Sequence, residues 1–179
     1  MDGVERQSPV VPVLDTERLR LRAHRAEDHA ERVAIWSDPE VTRFIGGRPL
    51  TGEEIWRRFL QYMGLWSVLG YGYWAVEEKS TGRYIGDIGF ADFKRDLQPS
   101  LEGMLEFGWV LASHAHGKGY ASEAVVAAIH WAEQHRPGMR AVCIIDPANQ
   151  PSIRVAEKAG FKRWQESTYH GGPTVVFSR

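Results

Sequence analysis

The sequence of 179 residues has little cysteine, almost no net charge and no long hydrophobic run, and each of these absences excludes a class of protein. Its single cysteine, Cys143, excludes both an intrachain disulfide framework and a zinc site built from cysteines. Because Cys143 lies in the apolar run 141–145, we expect a small buried side chain there and not a nucleophile.

The charge balance argues against a nucleic acid as the main partner. The 22 basic and 23 acidic residues leave a formal net charge of -1, so no polyanion-binding surface is indicated. No stretch approaches the roughly 20 apolar residues that a membrane helix needs, and no basic leader precedes an apolar core. We therefore expect a soluble, cytoplasmic protein with no membrane partner. A single domain is expected over residues 14–179, after an extended, proline-containing arm, residues 1–13, that is mobile unless a partner holds it.

The most informative stretch is 105–124, which predicts a strand, a turn that contains glycines and the start of a helix. Strand-like alternation places Leu105, Phe107, Trp109 and Leu111 on one face and Glu106, Gly108 and Val110 on the other. The Glu106 carboxylate thus lies beside Gly108, which has no side chain, and this favours a pocket. Apolar residues then recur at helical spacing, at Ala121, Ala124, Val125, Ala128, Ile129 and Ala132.

Gly117 and Gly119 lie between this strand and this helix. Glycines let the backbone turn so that several N–H groups point at one spot near the positive end of the helix dipole. Such a spot binds anions, and a phosphate or pyrophosphate is its natural ligand. Lys118 either neutralises part of that charge or is simply solvated.

Two other phosphate-binding motifs contain similar glycines. A Walker P-loop is excluded, because Ala112 stands at its first glycine position and Gly119 at its Ser/Thr position. A dinucleotide-binding fingerprint is disfavoured, because Ser122 occupies its third glycine position. An ordinary helix start without a ligand is the third alternative.

The segment His116 to Ala121 resembles motif A of the GNAT acetyltransferases, in which Arg/Gln-x-x-Gly-x-Gly/Ala holds the pyrophosphate of acetyl-CoA. Histidine replaces the usual arginine or glutamine at His116. The blocks 149–161 and 16–22 are similar to the pantetheine-binding helix and the first strand of the branch that contains ribosomal-protein N-terminal alanine acetyltransferases. The resemblance covers nearly the whole chain. It implies an α/β protein with a single GNAT domain, whose mixed, mostly antiparallel sheet contains one parallel β-α-β crossover and is flanked by helices.

The resemblance implies an acetyl-CoA-dependent N-acetyltransferase that moves the acetyl group to a primary amine by direct attack. The acceptor would be a protein N-terminal α-amine or a small-molecule amine, and acetyl-CoA would be a co-substrate. No metal is expected, because His114 and His116 have no third ligand spaced near them. A homodimer is consistent with family habit. A non-catalytic acyl-CoA-binding module and, more remotely, a dinucleotide-binding protein are the alternatives.

The resemblance also implies chemical roles for the residues that match particular positions of the family motifs. Glu106 is the candidate general base, directly or through a water, with a structural carboxylate as the alternative. Ala156 stands where many members have the tyrosine that protonates the leaving thiolate. Ser152 is therefore the candidate hydrogen-bond donor to that thiolate, with helix capping as the alternative. The thioester carbonyl would meet backbone N–H groups near Val110 or Leu111.

The resemblance implies two groups of binding residues. Those expected at the cofactor are Trp109, Val110, Leu111, His116, Gly117, Lys118, Gly119, Tyr120, Ala121, Ser122, Asn149 and Ser152. Those expected at the acceptor are Phe44, Trp66, Tyr73 and Glu106, although aromatic residues such as Trp66 could equally belong to the core.

The rest of the hydrophobic pattern predicts the strands and helices around the stretch 105–124. In an early half-exposed strand, apolar residues alternate with solvated Arg18, Arg20 and Arg22. A helix over 26–37 should bury Ala30, Val33 and Ala34. A capping box at 51–54 begins a second helix, whose buried face should carry Ile55, Phe59, Tyr62, Met63 and Trp66. We expect further strands at 73–77, 84–93, 162–169 and 174–178, and a helix from about Gln150 to Gly160.

Overall fold

The computed structural model describes residues 10–179, which contain eight β-strands and five α-helices. The strands are β1 (Leu14–Asp15), β2 (Leu19–Arg22), β3 (Tyr73–Glu78), β4 (Arg83–Ala91), β5 (Leu105–Leu111), β6 (Ala141–Ile145), β7 (Lys162–Tyr169) and β8 (Gly172–Ser178). The helices are α1 (His29–Trp36), α2 (Pro39–Thr42), α3 (Gly52–Leu69), α4 (Tyr120–His135) and α5 (Gln150–Lys158). The predicted elements are present. The helix expected over 26–37 is divided into a 3₁₀ turn, Ala26–Asp28, and α1.

All eight strands form one sheet in the order β1-β2-β3-β4-β5-β6-β8-β7. Neighbouring strands are antiparallel except β5 and β6, which are parallel and are connected through α4. This confirms the predicted fold class, a mixed and mostly antiparallel sheet with one β-α-β crossover and flanking helices.

The predicted N-terminal arm is described only in part, since residues 1–9 lie outside the described residues. Its last residues contact the core of the protein. Val11 packs against the core, and the indole N–H of Trp74 donates to the carbonyl oxygen of Pro12 at 2.8 Å. The chain itself therefore holds this end of the arm.

The larger core lies between α4, α5 and one face of the sheet. The stripe predicted for α4 is buried from Ala124 to Ala132. Cys143 is also buried, as predicted. In this core an aromatic cluster joins α3, β3, β4 and α4; its members are Trp66, Trp74, Phe90 and Trp131. Val110 on the opposite face of β5 packs with Ile35 of α1 and Val41 of α2.

The predicted buried face of α1 was wrong. Ala30 and Ala34 are exposed, and the helix instead turns Arg32, Ile35 and Trp36 towards the sheet. Arg32 is 0% exposed because its guanidinium pairs with Asp87 of β4 at 3.2 Å, and the Tyr84 hydroxyl donates to the same carboxylate at 2.7 Å. The buried face of this helix therefore combines an ion pair with the apolar side chains of Ile35 and Trp36.

The prediction that the arginines of β2 are solvated was also wrong for Arg22. This residue is 4% exposed and donates to Asp28 at 2.7 Å and to Glu77 at 2.6 Å. Arg20 is half exposed, as predicted. The capping box at the start of α3 is confirmed, but Met63 of its predicted buried face is 46% exposed.

The ion pair between Arg32 and Asp87 leads to a prediction about stability. Asp87→Asn should lower the free energy of unfolding by about 3 kcal/mol or more, because Arg32 is left as a buried charge without a counter-ion. The measurement is urea denaturation of the purified protein. The matched control is Glu53→Gln, which removes an exposed ion pair with Arg57 and should cost less than about 1 kcal/mol. Similar small losses in both variants would show that the buried pair does not stabilise the fold.

Candidate active site

The parallel strands β5 and β6 separate soon after they begin. Their ladder contains two residue pairs, Leu105 with Ala141 and Glu106 with Val142. Beyond Glu106, β5 stays paired with β4 as far as Leu111, but within the described chain no residue of β6 pairs with it. A V-shaped opening therefore forms in the middle of the sheet.

Backbone amides of β5 point into this opening. The N–H of Ala112 donates to the carbonyl oxygen of Ile85, on the β4 side, at 2.8 Å. Because N–H directions alternate along a strand, the N–H groups of Trp109 and Leu111 point away from β4 and into the opening. The N–H of Val110 points towards β4.

The glycine turn lies at the mouth of this opening and leads directly into α4. Gly117 and Gly119 have φ values of +74° and +80°, which side chains with a Cβ disfavour. No side chain of residues 10–179 caps the start of α4. The first N–H groups of this 16-residue helix are thus available to an anion, in the field of the helix dipole.

Arg18, the residue just before β2, supports the turn. Its Nη1 donates to the carbonyl oxygen of Lys118 at 2.8 Å, and its Nε donates to Glu123 of α4 at 2.8 Å. Its guanidinium also lies 4.7 Å from the centroid of the Tyr120 ring. The arginine predicted to be solvated therefore ties the glycine turn to the sheet.

The start of α5 lies at the same opening. The side-chain oxygen of Asn149 accepts a hydrogen bond from the N–H of Ser152 at 3.2 Å, so Asn149 caps this helix. The hydroxyl of Ser152 has no hydrogen-bond partner among the described residues, and Ser152 lines the cleft. Capping is thus done by Asn149, and the serine hydroxyl is available to a ligand.

These elements enclose a cleft of about 630 Å³ together with α2 and the residues after it. Of the residues predicted at the cofactor, Lys118 alone is not in the cleft wall. The others line the cleft: Trp109, Val110, Leu111, His116, Gly117, Gly119, Tyr120, Ala121, Ser122, Asn149 and Ser152. The ring of His116, where the family motif has arginine or glutamine, lies with Nε2 2.9 Å from the carbonyl oxygen of Leu111.

Tyr73 fills the space beside Gly108 that the sequence predicted to be open. A Cβ at Gly108 would lie 2.4 Å from the Tyr73 hydroxyl oxygen, and one at Gly89 would lie 2.8 Å from its Cγ. The ring therefore extends from β3 across β4 to β5, and Tyr62 of α3 stacks on it at 4.2 Å between centroids. Burial raises the pKa of Tyr73 well above its usual value, so its hydroxyl stays protonated as a donor.

Glu106 lies on the same face and forms an ion pair. It is 5% exposed, and Nε of Arg95 lies 2.8 and 2.7 Å from its two oxygens. Nη1 of Arg95 donates to the Tyr169 hydroxyl at 2.9 Å, which connects the carboxylate to the β7–β8 hairpin. Burial raises the pKa of the Glu106 carboxyl above its ordinary value, while Arg95 opposes the rise by favouring the charged form.

The other two predicted acceptor residues lie in different places. Phe44 follows α2 and lines the cleft. Trp66 is 4% exposed in the aromatic core, and its indole N–H donates to the carbonyl oxygen of Tyr73 at 2.9 Å. Because its ring is packed and its N–H is satisfied, Trp66 is not part of the cleft wall.

Sequence reasoning missed the roles of Arg95, Tyr62 and Arg18. Arg95 lies in a loop without periodicity, and its partner Tyr169 is 74 residues away. Tyr62 was predicted as ordinary core, and no local pattern indicates its stacking partner. Glu123 is 105 residues from Arg18, so alternation along β2 contained no signal for this contact.

Between residues 10 and 179, no three His, Cys, Asp or Glu side chains lie close enough together to hold a metal ion. In the same range, no helix combines the length and apolar character needed to cross a membrane.

The chain is similar in sequence to bacterial proteins over most of its length. It is 30% identical to YkkB, an uncharacterized protein of Bacillus subtilis, over 169 residues that cover 93% of this chain and 94% of the relative. It is 32% identical to the uncharacterized N-acetyltransferase p20 of Bacillus licheniformis over 151 residues, which cover 84% of this chain and 82% of the relative.

Solved structures share its fold. An acetyltransferase from Agrobacterium tumefaciens superposes with a TM-score of 0.81 at 28% identity and covers 99% of both chains. A ribosomal-protein alanine acetyltransferase from Vibrio fischeri has a TM-score of 0.68 at 21% identity, over 94% of this chain and 96% of that one. The aminoglycoside acetyltransferase AAC(6')-Ib, solved with coenzyme A, has a TM-score of 0.70 at 20% identity, over 90% and 94%.

A family model matches most of the chain and establishes the family. Residues 18–162 match the acetyltransferase (GNAT) domain, a range that contains the separated strands, the glycine turn and the capped start of α5. The chain therefore belongs to the GNAT acetyltransferase family and is an N-acetyltransferase.

Proposed function

We propose that the cleft binds acetyl-CoA and that the protein transfers its acetyl group to a primary amine bound on the face of the sheet that carries Tyr73 and Glu106. The observation that carries this proposal is the meeting of three features in one cleft: the opening between β5 and β6, the uncapped start of α4 and the start of α5. AAC(6')-Ib, solved with coenzyme A, supports the choice of ligand.

Each part of this ligand has a matching group in the cleft. The N–H groups of the turn at Gly117 and Gly119 and at the start of α4 suit the pyrophosphate. The opening between the strands suits the extended pantetheine, whose amides would pair with the free backbone groups of β5. The N–H groups of Trp109 and Leu111 would stabilise the negative charge that develops on the thioester oxygen during attack.

The reaction requires one proton to leave the amine and one to reach the sulfur. A new N–C bond forms, the C–S bond breaks, and the acceptor amine must lose a proton to become the neutral amide. Glu106 is the proposed proton acceptor, directly or through a water, with Arg95 fixing its position. Ser152 is the proposed donor of a hydrogen bond to the leaving thiolate, because its hydroxyl is otherwise unused among the described residues.

The proposed acceptor is a protein N-terminal α-amine or a small-molecule amine. The ribosomal-protein alanine acetyltransferase and AAC(6')-Ib share the fold, and the two names illustrate both kinds of acceptor. Phe44 and Tyr73 are the proposed acceptor contacts, since they lie on the cleft wall and on the acceptor face of the sheet. The direct test is release of free CoA thiol from acetyl-CoA across a panel of peptides and small amines.

A non-catalytic acyl-CoA-binding protein is the second candidate. Two observations favour it: the usual tyrosine position is the buried Ala156, and Glu106 already binds Arg95. Tight acetyl-CoA binding without thiol release for any amine in the panel would support this candidate over the transferase.

The glycine turn should be required for binding acetyl-CoA. Gly117→Ala should raise the KM for acetyl-CoA by about 10-fold, because a Cβ at positive φ costs about 1–2 kcal/mol and the turn would relax away from its binding geometry. The matched control is Gly82→Ala, with φ +68° in the β3–β4 turn and equally open surroundings. It should lose similar stability without a change in KM. Equal KM values for both variants would contradict the assignment.

The role of Glu106 predicts a pH dependence. The kcat/KM of the wild type should fall as the pH decreases through the raised pKa of Glu106, because a protonated carboxyl cannot accept the proton of the amine. Glu106→Gln should lower kcat/KM by about 100-fold and remove the part of this fall that comes from the carboxyl, leaving only the part that comes from protonation of the acceptor amine. The control is Glu102→Gln in the preceding loop, where the carboxylate is exposed. If the Glu106→Gln variant keeps the wild-type rate and pH profile, Glu106 is excluded as the base.

Ser152 should affect turnover more than binding. Ser152→Ala should lower kcat by about 10-fold, which is less than the 10²–10³-fold loss for a typical oxyanion donor. The KM for acetyl-CoA should change little, because Asn149 still caps α5. Ser67→Ala, at an exposed position of α3, is the control, and an unchanged kcat in both variants would refute the role of Ser152.

A further inference from the structure

Arg58 of α3 is a partly buried cation without a counter-ion. Its Nε is fully buried and has no hydrogen-bond partner among the described residues. Its guanidinium carbon lies 4.3 Å from the centroid of the Trp36 ring, and Nη1 makes a 3.5 Å contact with the Tyr62 hydroxyl. Within residues 10–179, no carboxylate oxygen lies within 4 Å of it. The guanidinium is held in place by aromatic side chains, and no carboxylate of the described residues pairs with it directly.

The buried carboxylates of the described chain are all matched. They are Asp28, Asp87 and Glu106, and each binds an arginine: Arg22, Arg32 and Arg95 respectively. Because each already has an arginine as counter-ion, none of the three offers an unpaired negative charge to a polycationic ligand, although Glu106 keeps the proton-accepting role proposed above. The unmatched buried charge on this side of the sheet is positive, which favours an anionic ligand.

Arg58 is connected to the reacting face of β5 by two stacked tyrosines. Its contact with the Tyr62 hydroxyl places it at the edge of the Tyr62 ring, which lies parallel to the Tyr73 ring, with 2° between their planes. The Tyr73 hydroxyl lies over Gly108, two residues from Glu106. Tyr73 is 6% exposed, and its hydroxyl has no hydrogen-bond partner among the described residues. The Nε of Arg58 and the Tyr73 hydroxyl therefore lie on this side of the sheet without a hydrogen-bond partner among the described residues.

We infer that the acceptor is a primary amine that also carries a carboxylate, which binds Arg58 and the Tyr73 hydroxyl while the amine faces Glu106. This inference rests on the proposed acetyl transfer. A carboxylate would supply the acceptor atoms that both groups lack, and it would neutralise the buried charge of Arg58. A polycationic amine would instead place positive charge near Arg58 and find no free buried carboxylate to bind.

Matched pairs of amines test the inference through thiol release from acetyl-CoA. The first arm compares free amino acids with their carboxamides. The second arm compares short peptides whose second residue is aspartate or asparagine, so the two arms distinguish a free amino acid from a peptide as the source of the carboxylate. In at least one arm, the carboxylate member should have a kcat/KM about 10- to 100-fold higher, as expected for hydrogen bonds to a charged group.

Variants of Arg58 show whether this residue causes the preference. In each pair, the kcat/KM of the carboxylate-bearing amine is compared with that of its amide counterpart. Arg58→Gln should reduce the ratio of the two values to below about threefold, by lowering kcat/KM for the carboxylate-bearing amine alone. Arg58→Lys should retain part of the preference, because it keeps the charge. The control is Arg57→Gln, one residue away on the exposed side of α3, which should leave the preference intact. An unchanged KM for acetyl-CoA shows that each variant is folded.

Three results would overturn the inference. They are equal or better turnover of the carboxamides, a carboxylate preference that survives in Arg58→Gln, and no turnover of any carboxylate-bearing amine by protein that binds acetyl-CoA in a calorimetric titration. Failure to bind acetyl-CoA in that titration would instead reject the proposed function itself, so the two failures are distinguishable.

Discussion

The site depends on the separation of β5 from β6 after Glu106. Two parallel strands that stayed paired would use the N–H groups of Trp109 and Leu111 in the ladder and would leave no space between the starts of α4 and α5. Unpaired amides inside a sheet are costly unless a ligand or water satisfies them. The fold tolerates this cost because β5 remains paired with β4, and β6 with β8, so each strand is fixed along its other edge.

The two faces of the sheet are stabilised in different ways. The face under α4 is held by apolar packing, in which a stripe of small side chains lets the helix approach closely. The face under α1 carries ion pairs such as that between Arg32 and Asp87. The hydrogen bonds within such a pair depend on direction, so they help to orient the helix as well as to bury its charged side chain. Charged groups can remain on this second face because each buried carboxylate has its own arginine. The face proposed to bind the acceptor is therefore polar, and paired charges hold its side chains in place.

The sequence predicted most of the elements but not the polar contacts between them. Alternation around Glu106, the stripe of α4 and the capping box at Thr51 are local patterns, and the structure contains all three. Hydrophobic periodicity did not predict the buried face of α1, because it treats Arg32 as a polar residue that belongs at the surface. It failed again at Gly108, where an absent side chain indicated open space. Only the three-dimensional arrangement brings Tyr73 from two strands away into that space.

The course of Tyr73 across the sheet makes positions 73 and 108 a single unit of sequence change. A Cβ at Gly108 would meet the Tyr73 hydroxyl, whereas a Cβ at Gly89 would first meet backbone atoms of Gly72 and Tyr73, at 2.4 Å. A side chain at position 108 would be accommodated only together with a smaller residue at position 73, and a smaller residue there would leave a cavity under Tyr62 unless position 108 were filled. This face of the sheet can therefore diversify through coupled exchanges at positions 73 and 108 more readily than through single ones, even though the two positions lie on different strands.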